Sequence, residues 1–185
     1  MSQPLLTDGS AYYQLQEEMR NAFESTVLDL PRAMLVQHPH LVQDIHVTVV
    51  VVEFTLAATR DAIRILSWLK ANAPQSKVIV VANRVPAGNH EISRKDFEAS
   101  IERKVDLVIP AEAKVAAQAA KLGQPFAKTA TTAKVSQPFT QLVQLVTATV
   151  EQAEGAGDGA GDSSTQSLLK KLNLKGLLSK APAKA

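Results

Sequence analysis

Residues 47–54 read VTVVVVEF and decide the fold. Six of the eight are β-branched, and five of those are Val, which favours strand over helix. The run is continuous rather than alternating. A continuous apolar run predicts a strand with both faces covered, as in a parallel sheet held between helices. Thr55 follows as a predicted N-cap. Ala58, Ala62, Ile65, Leu66 and Leu69 then fall on one helical face, with Arg60, Asp61, Arg64 and Lys70 opposite, and Pro74 stops the helix. Residues 77–82 (KVIVVA) repeat the continuous strand pattern. Ser93 and Asp96 form a capping-box pattern opening a helix with Phe97 and Ile101 inward. Residues 105–109 (VDLVI) are a third such strand, ended by Pro110. An Ala-rich helix follows and stops at Gly123, the residue type that accepts a left-handed C′ position. Ser136 and Pro138 are predicted to open a last helix with Phe139, Leu142, Val143, Val146 and Val150 inward.

Upstream, Tyr12, Leu15, Met19, Ala22 and Phe23 share a helical face over residues 12–23. Residues 26–30 (TVLDL) read as a short buried strand ended by Pro31, and 33–43 as a helix interrupted near Pro39. Strand and helix alternate with short connections. The predicted class is therefore α/β, a parallel sheet flanked by helices with right-handed crossovers.

Composition sets the limits around this core. The 185 residues are 45% apolar and 21% charged, with no cysteine. Disulfide frameworks, thiolate metal sites, iron–sulfur clusters and cysteine nucleophiles are excluded. No run of 18 apolar residues and no basic, apolar leader pattern is present. The net charge of +2 is unevenly spread. Residues 155–185 carry +3, and the remainder −1. A near-neutral body argues against nucleic acid as a partner. Five of the eight glycines lie in 155–176, four of them in GAGDGAGDSSTQS. The predicted organisation is a body over 1–154, a Gly/Asp/Ser-rich flexible linker over 155–167, and a Leu/Lys-rich tail over 168–185.

Ligands on parallel sheets bind beyond the carboxyl ends of the strands. The residues placed there are Asp29 to Arg32, Glu53 to Thr55, Asn83 to Pro86 and Pro110 to Glu112. Asp29 could hold Mg²⁺ through water at a strand terminus, or serve as a turn aspartate before proline. Asn83 offers a donor and an acceptor that suit an adenine edge, or that tie down its own turn. His38, His40, His46 and His90 lack the ligand spacing of a metal site, so they are expected as exposed loop residues. No intrinsic metal site is expected. There is no G-x-S-x-G element and no G-x-x-x-x-G-K-[ST] loop, whose backbone N–H groups and lysine grip phosphates. A phosphoacceptor receiver domain would need a lysine at a late strand end, where Ile109 and Pro110 stand instead.

The ordered series STVLDLPR (25–32), VTVVVVEFTLAATRDAIRILSWL (47–69), KVIVVANR (77–84), DFEASI (96–101) and VIPAEAKVAAQAAKLGQP (108–125) resembles the C-terminal half of the MinD/ParA-type ATPases of Flp (Tad) pilus assembly, the CpaE/TadZ proteins. The likeness runs over about residues 10–150. It implies a MinD/ParA-like, three-layer P-loop NTPase fold without its P-loop strand. By resemblance Asp29 is the Walker B-like, Mg²⁺-side residue, and Asn83, Arg84 and Pro110 lie on the side of the nucleotide base. The resemblance implies ATP and Mg²⁺ for the full-length family. It implies a role in placing the pilus secretion machinery, in the cytoplasm and peripheral to the inner membrane. The P-loop strand and the receiver-like domain of the family have no counterpart in this sequence. The expectation is a C-terminal fragment or a degenerate companion, with no cofactor and no ATPase activity of its own. The expected partners are pilus assembly and secretion components, together with a second copy or a missing N-terminal half.

The family's P-loop strand would lie between 26–30 and 47–54. Its absence makes 26–30 the least secure strand, while 47–54, 77–82 and 105–109 are expected to pair. The tail residues Leu168, Leu169, Lys170, Lys171, Leu172, Leu177 and Leu178 are the second functional candidate, as a basic amphipathic segment for membrane or partner. Leu168, Leu169 and Leu172 share one helical face, whereas Leu174, Leu177 and Leu178 swing away from it, and Gly176 weakens the helix. The competing reading of the whole chain is a non-catalytic α/β interaction module that recruits partners through helix faces and the tail.

Overall fold

The computed structural model describes residues 9–88, 90–130 and 133–155. Three strands, β1 (Val47–Val52), β2 (Lys77–Val85) and β3 (Leu107–Pro110), form a sheet in the order β1-β2-β3, with both pairs parallel. β1 and β2 run in unbroken register from Val47 opposite Lys77 to Val52 opposite Ala82. The β2–β3 register shifts between Ala82 and Val85, where β2 bulges.

The helices are α1 (Gly9–Ala22), α2 (Arg32–Gln37), α3 (Leu56–Asn72), α4 (Arg94–Ser100), α5 (Ala113–Leu122), α6 (Phe126–Thr129) and α7 (Ala133–Gly155), with a 3₁₀ turn over Pro39–Val42. Their ends follow local chemistry. Thr55 Oγ1 accepts the Ala58 N–H at 3.1 Å at the start of α3. Ser93 Oγ accepts the Asp96 N–H at 3.1 Å at the start of α4. Gly123, at φ 60°, closes α5, and the Gln124 N–H returns to the Ala119 carbonyl at 3.0 Å. These three termini agree with the sequence.

Two apolar layers sandwich the sheet. Val50, Val52, Val80 and Ala82 meet Ala62 and Leu69 of α3, and Phe97 and Ile101 at α4. Phe97 is completely buried, and a side chain of that size contributes about 1.5–3 kcal/mol by burial. On the other face Ile79, Val81, Leu107 and Ile109 meet Phe139, Leu142 and Val146 of α7. The fold is thus a parallel sheet between helical layers, as the alternating pattern requires.

Four expectations need correction. Residues 25–31 form no strand. They carry no regular secondary structure, Val27 is 94% exposed and Asp29 is exposed. An apolar pentapeptide becomes a strand only where a neighbour satisfies its backbone, and none of the three strands pairs with it. Second, β1 is covered on one face only. Val50 and Val52 are buried, but Val49 and Val51 are 37% and 62% exposed. α7 lies over β2 and β3 and, in its apolar layer, reaches β1 only at Val47. Third, α7 begins at Ala133, so Pro138 lies inside it rather than at its opening. Proline there removes the N–H that would bond the carbonyl four residues back. Fourth, His38, His40 and His90 are half-buried rather than exposed; of the four, His46 alone is exposed. His40 sits edge-on to Tyr12 and His38, with ring centroids 5.8 and 5.7 Å apart. The Tyr12 hydroxyl donates to the Leu41 carbonyl at 3.3 Å, docking α1 onto the 3₁₀ turn.

Candidate functional site at the strand ends

The carboxyl ends of β1 and β2 open into a cleft of about 240 Å³, lined by Glu53, Phe54, Thr55, Arg84, Val85, Pro86, His90 and Glu91. The floor is built by the strand termini. Phe54 is buried and stands edge-on to Phe97 (5.4 Å) and to His90 (5.6 Å). The Ile92 N–H donates to the Phe54 carbonyl at 3.3 Å, which ties the returning chain back to the end of β1. His90 Nδ1 is buried without a hydrogen-bond partner among the described residues.

The rim is set by a bulge. Arg84 adopts φ 53°, a left-handed conformation that costs an ordinary side chain energy and is uncommon outside glycine, Asn and Asp. Two contacts hold it. The Asn83 side-chain oxygen accepts the Arg84 N–H at 2.9 Å. The Arg84 guanidinium grips Glu53 through Nε at 2.8 Å and through Nη2. The bulge also advances the chain so that the Ala111 N–H, just after Pro110, donates to the Val85 carbonyl at 2.8 Å.

The structure therefore brings Asn83, Arg84 and Pro110 together at one edge of the sheet. Asn83 uses its oxygen internally, as the turn reading expects, and leaves the Nδ2 amino group as the donor it can offer a ligand. Asp29 is not brought to the cleft. It stands in the exposed segment before α2, where Arg32 pairs with Asp61. No group of three or more metal-ligating side chains exists among the described residues. Leu168, Leu169, Lys170, Lys171, Leu172, Leu177 and Leu178 lie outside the described residues, as does the predicted linker beyond Gly155. Among the described residues no helix is long and apolar enough to cross a membrane.

Asn83 and Pro110 lie beside the cleft, next to Arg84 and opposite Val85, and are not among its lining residues. A triphosphate needs convergent backbone N–H groups and a lysine at the strand ends. Among the described residues lining the cleft, Arg84 is the one lysine or arginine, and it is already paired with Glu53. Gly88, the glycine closest in sequence to the cleft residues, stands in open space rather than against a cradle.

Sequence reasoning missed the Glu53–Arg84 pair and His90. Glu53 follows β1 and Arg84 lies near the end of β2, and the parallel register that aligns these two strands has no local signature. His90 carries no spacing signal, because its neighbour Phe54 is 36 residues away in the chain.

No family model matches the chain, and no curated protein matches it by sequence. Solved structures do match in shape. A ParA family ATPase from Chlorobium tepidum superposes with a TM-score of 0.63 and 18% identity, covering 71% of this chain and 54% of that one. The MinD cell division protein of Aquifex aeolicus superposes with a TM-score of 0.61 and 18% identity, covering 86% of this chain and 65% of that one. The chain therefore has the MinD/ParA type of fold, and it spans roughly half to two thirds of the length of these structures.

Proposed function

We propose that this chain is a pilus-assembly and localisation protein of the Flp/Tad type, related to the CpaE/TadZ branch of MinD/ParA-like proteins, and that it presents the base side of a nucleotide-switch fold. The observation that carries the reading is the convergence of Asn83, Arg84 and Pro110 at the carboxyl edge of a MinD/ParA-type sheet. The segments that converge are those through which the sequence resembles that branch. A base-side half without phosphate grip predicts weak binding governed by the adenosine moiety. ATP and Mg²⁺ belong to the full-length family, and this chain by itself carries no ATPase activity. Its place is the cytoplasm, with peripheral contact to the inner membrane through the tail.

Two measurements test this reading. Adenosine, ADP and ATP should bind the purified chain with affinities within a few-fold of one another, with or without Mg²⁺. ATP binding that is tight and Mg²⁺-dependent would contradict it. In the source cell, deleting the encoding gene should remove surface pili and disperse their secretion machinery. Unchanged piliation would remove the pilus assignment.

A second reading has its own support. A groove of about 470 Å³ between α2 and α3 is lined by Leu35, Val36, Ile65 and Trp68 between Arg32 and Arg64. Val36 is 71% exposed there. An apolar groove rimmed by cations suits recruitment of an acidic, amphipathic partner helix of the pilus or secretion machinery without any nucleotide. Loss of partner binding on Trp68→Ala, with Asn83→Ala silent, would favour this module over the switch.

A further inference from the structure

We propose that the free edge of β1 is a self-association surface, on which a second copy of this chain adds its own β1 in antiparallel fashion to continue the sheet across a two-fold axis. The Lys77 N–H donates to the His46 carbonyl at 2.8 Å. Backbone groups alternate sides along a strand, so Thr48, Val50 and Val52 also turn theirs toward β2. The N–H and C=O groups of Val47, Val49 and Val51 therefore face the open edge. The same alternation puts the side chains of these three residues on one face of the sheet. Val49 and Val51, 37% and 62% exposed, are the two that α7 leaves bare. Among the described residues, unpaired backbone and uncovered isopropyl groups thus coincide.

β1 itself carries none of the residue types or irregularities that blunt an edge. Natural edges are blunted by lysine, proline, bulges or shortness. β1 is six residues long, unbulged against β2, and contains neither charge nor proline. The other edge strand, β3, has four residues and ends in Pro110, which lacks an N–H. The occupant follows from self-complementarity. A two-fold axis through Val49 sets Val47 opposite Val51 and Val49 opposite its own copy, while Thr48 meets Val50 and His46 meets Val52. No carboxylate faces a carboxylate, since Glu53 falls opposite Ile45 and Asp44 opposite Phe54. Isologous contacts of this kind close as dimers. One strand pair is small as interfaces go, so the dimer is concentration-dependent.

Light scattering across a concentration series of the full chain, with hydrogen exchange on the same samples, tests the proposal. The dimer fraction should rise with concentration, and the Val49 and Val51 amides should gain protection in step. Val51→Lys should weaken the dimer at least tenfold, while Leu122→Lys, comparably exposed on α5, should leave it intact. Matching thermal melts for the two variants exclude misfolding as the cause. A monomer at every concentration overturns the proposal, as does a dimer that survives Val51→Lys. Edge protection independent of concentration also overturns it, because it would report the chain's own tail or another polypeptide on β1.

Discussion

Val80 and Asp106 hold each other twice. The Val80 N–H donates to the Asp106 carboxylate at 2.7 Å, and the Asp106 N–H returns to the Val80 carbonyl at 2.9 Å. The side chain takes the acceptor role that a strand carbonyl would fill, just before β3 begins. Val80 is fully buried, so its N–H has no access to water. Asp106→Ala should cost about 1–3 kcal/mol by stranding that donor. Asp106→Asn, which keeps an acceptor oxygen, should cost less. Urea unfolding of the two variants distinguishes them.

Glu98 should govern acid stability. Its buried carboxylate accepts from Lys104 Nζ at 2.8 Å, from Arg94 Nε at 2.8 Å and from the Val105 N–H at 3.1 Å. These bonds, led by Lys104 and then Arg94, lower its pKa from 4.5 to about 2. A depressed carboxylate stabilises the fold fully above the unfolded value, and that contribution is lost as pH falls from about 4.5 toward 2. Glu98→Gln should lower the melting temperature at pH 7 and flatten its dependence on pH across that window. A mutant melting curve that tracks the native one down to pH 2 would show that Glu98 has no such role.

Phe97 is the keystone of the α3–α4 layer, completely buried and edge-on to Phe54. Phe97→Ala should destabilise by about 3–5 kcal/mol. It should also loosen the cleft, because Phe54 is the shared neighbour of Phe97 and His90. Denaturant titration gives the first effect, and the His90 ring resonance in NMR the second.

Amides of Val27 to Leu30 should exchange far faster than those of Val50, Val52 and Ala82, since the former segment is irregular and mostly exposed outside the sheet. Equal protection in the two groups would mean that 26–30 is paired after all.

The Leu/Lys-rich tail is expected to add membrane affinity. Full-length chain should pellet with anionic liposomes more than a 1–160 truncation does, and salt should weaken the difference. Equal pelleting would end the membrane role.

Much of the fold was legible because it rests on local rules. The runs at 47–52 and 77–82, the caps at Thr55 and Ser93, and the stop at Gly123 each depend on residues within a few positions. The failures share a physical cause. TVLDL has the composition of a strand, but pairing belongs to the neighbour and not to the segment. Val49 and Val51 look as buried as Val50 and Val52 in sequence, because the path of α7 decides which face is covered. At the site, Asn83 and Pro110 were visible as strand ends. The left-handed Arg84, the Glu53 clamp and the second bond of Asp106 were not, since each arises from the register between separate strands.

β1 and β3 are not paired with each other, and each is joined to the sheet through β2. A slip of β2 by one position would exchange Val80 and Ala82 with Ile79 and Val81 and turn both helical layers inside out together. The two layers are therefore not independent modules. A substitution within 79–82 that suits one partner helix is answered at once by the opposite one, so this short tetrapeptide has little freedom to drift.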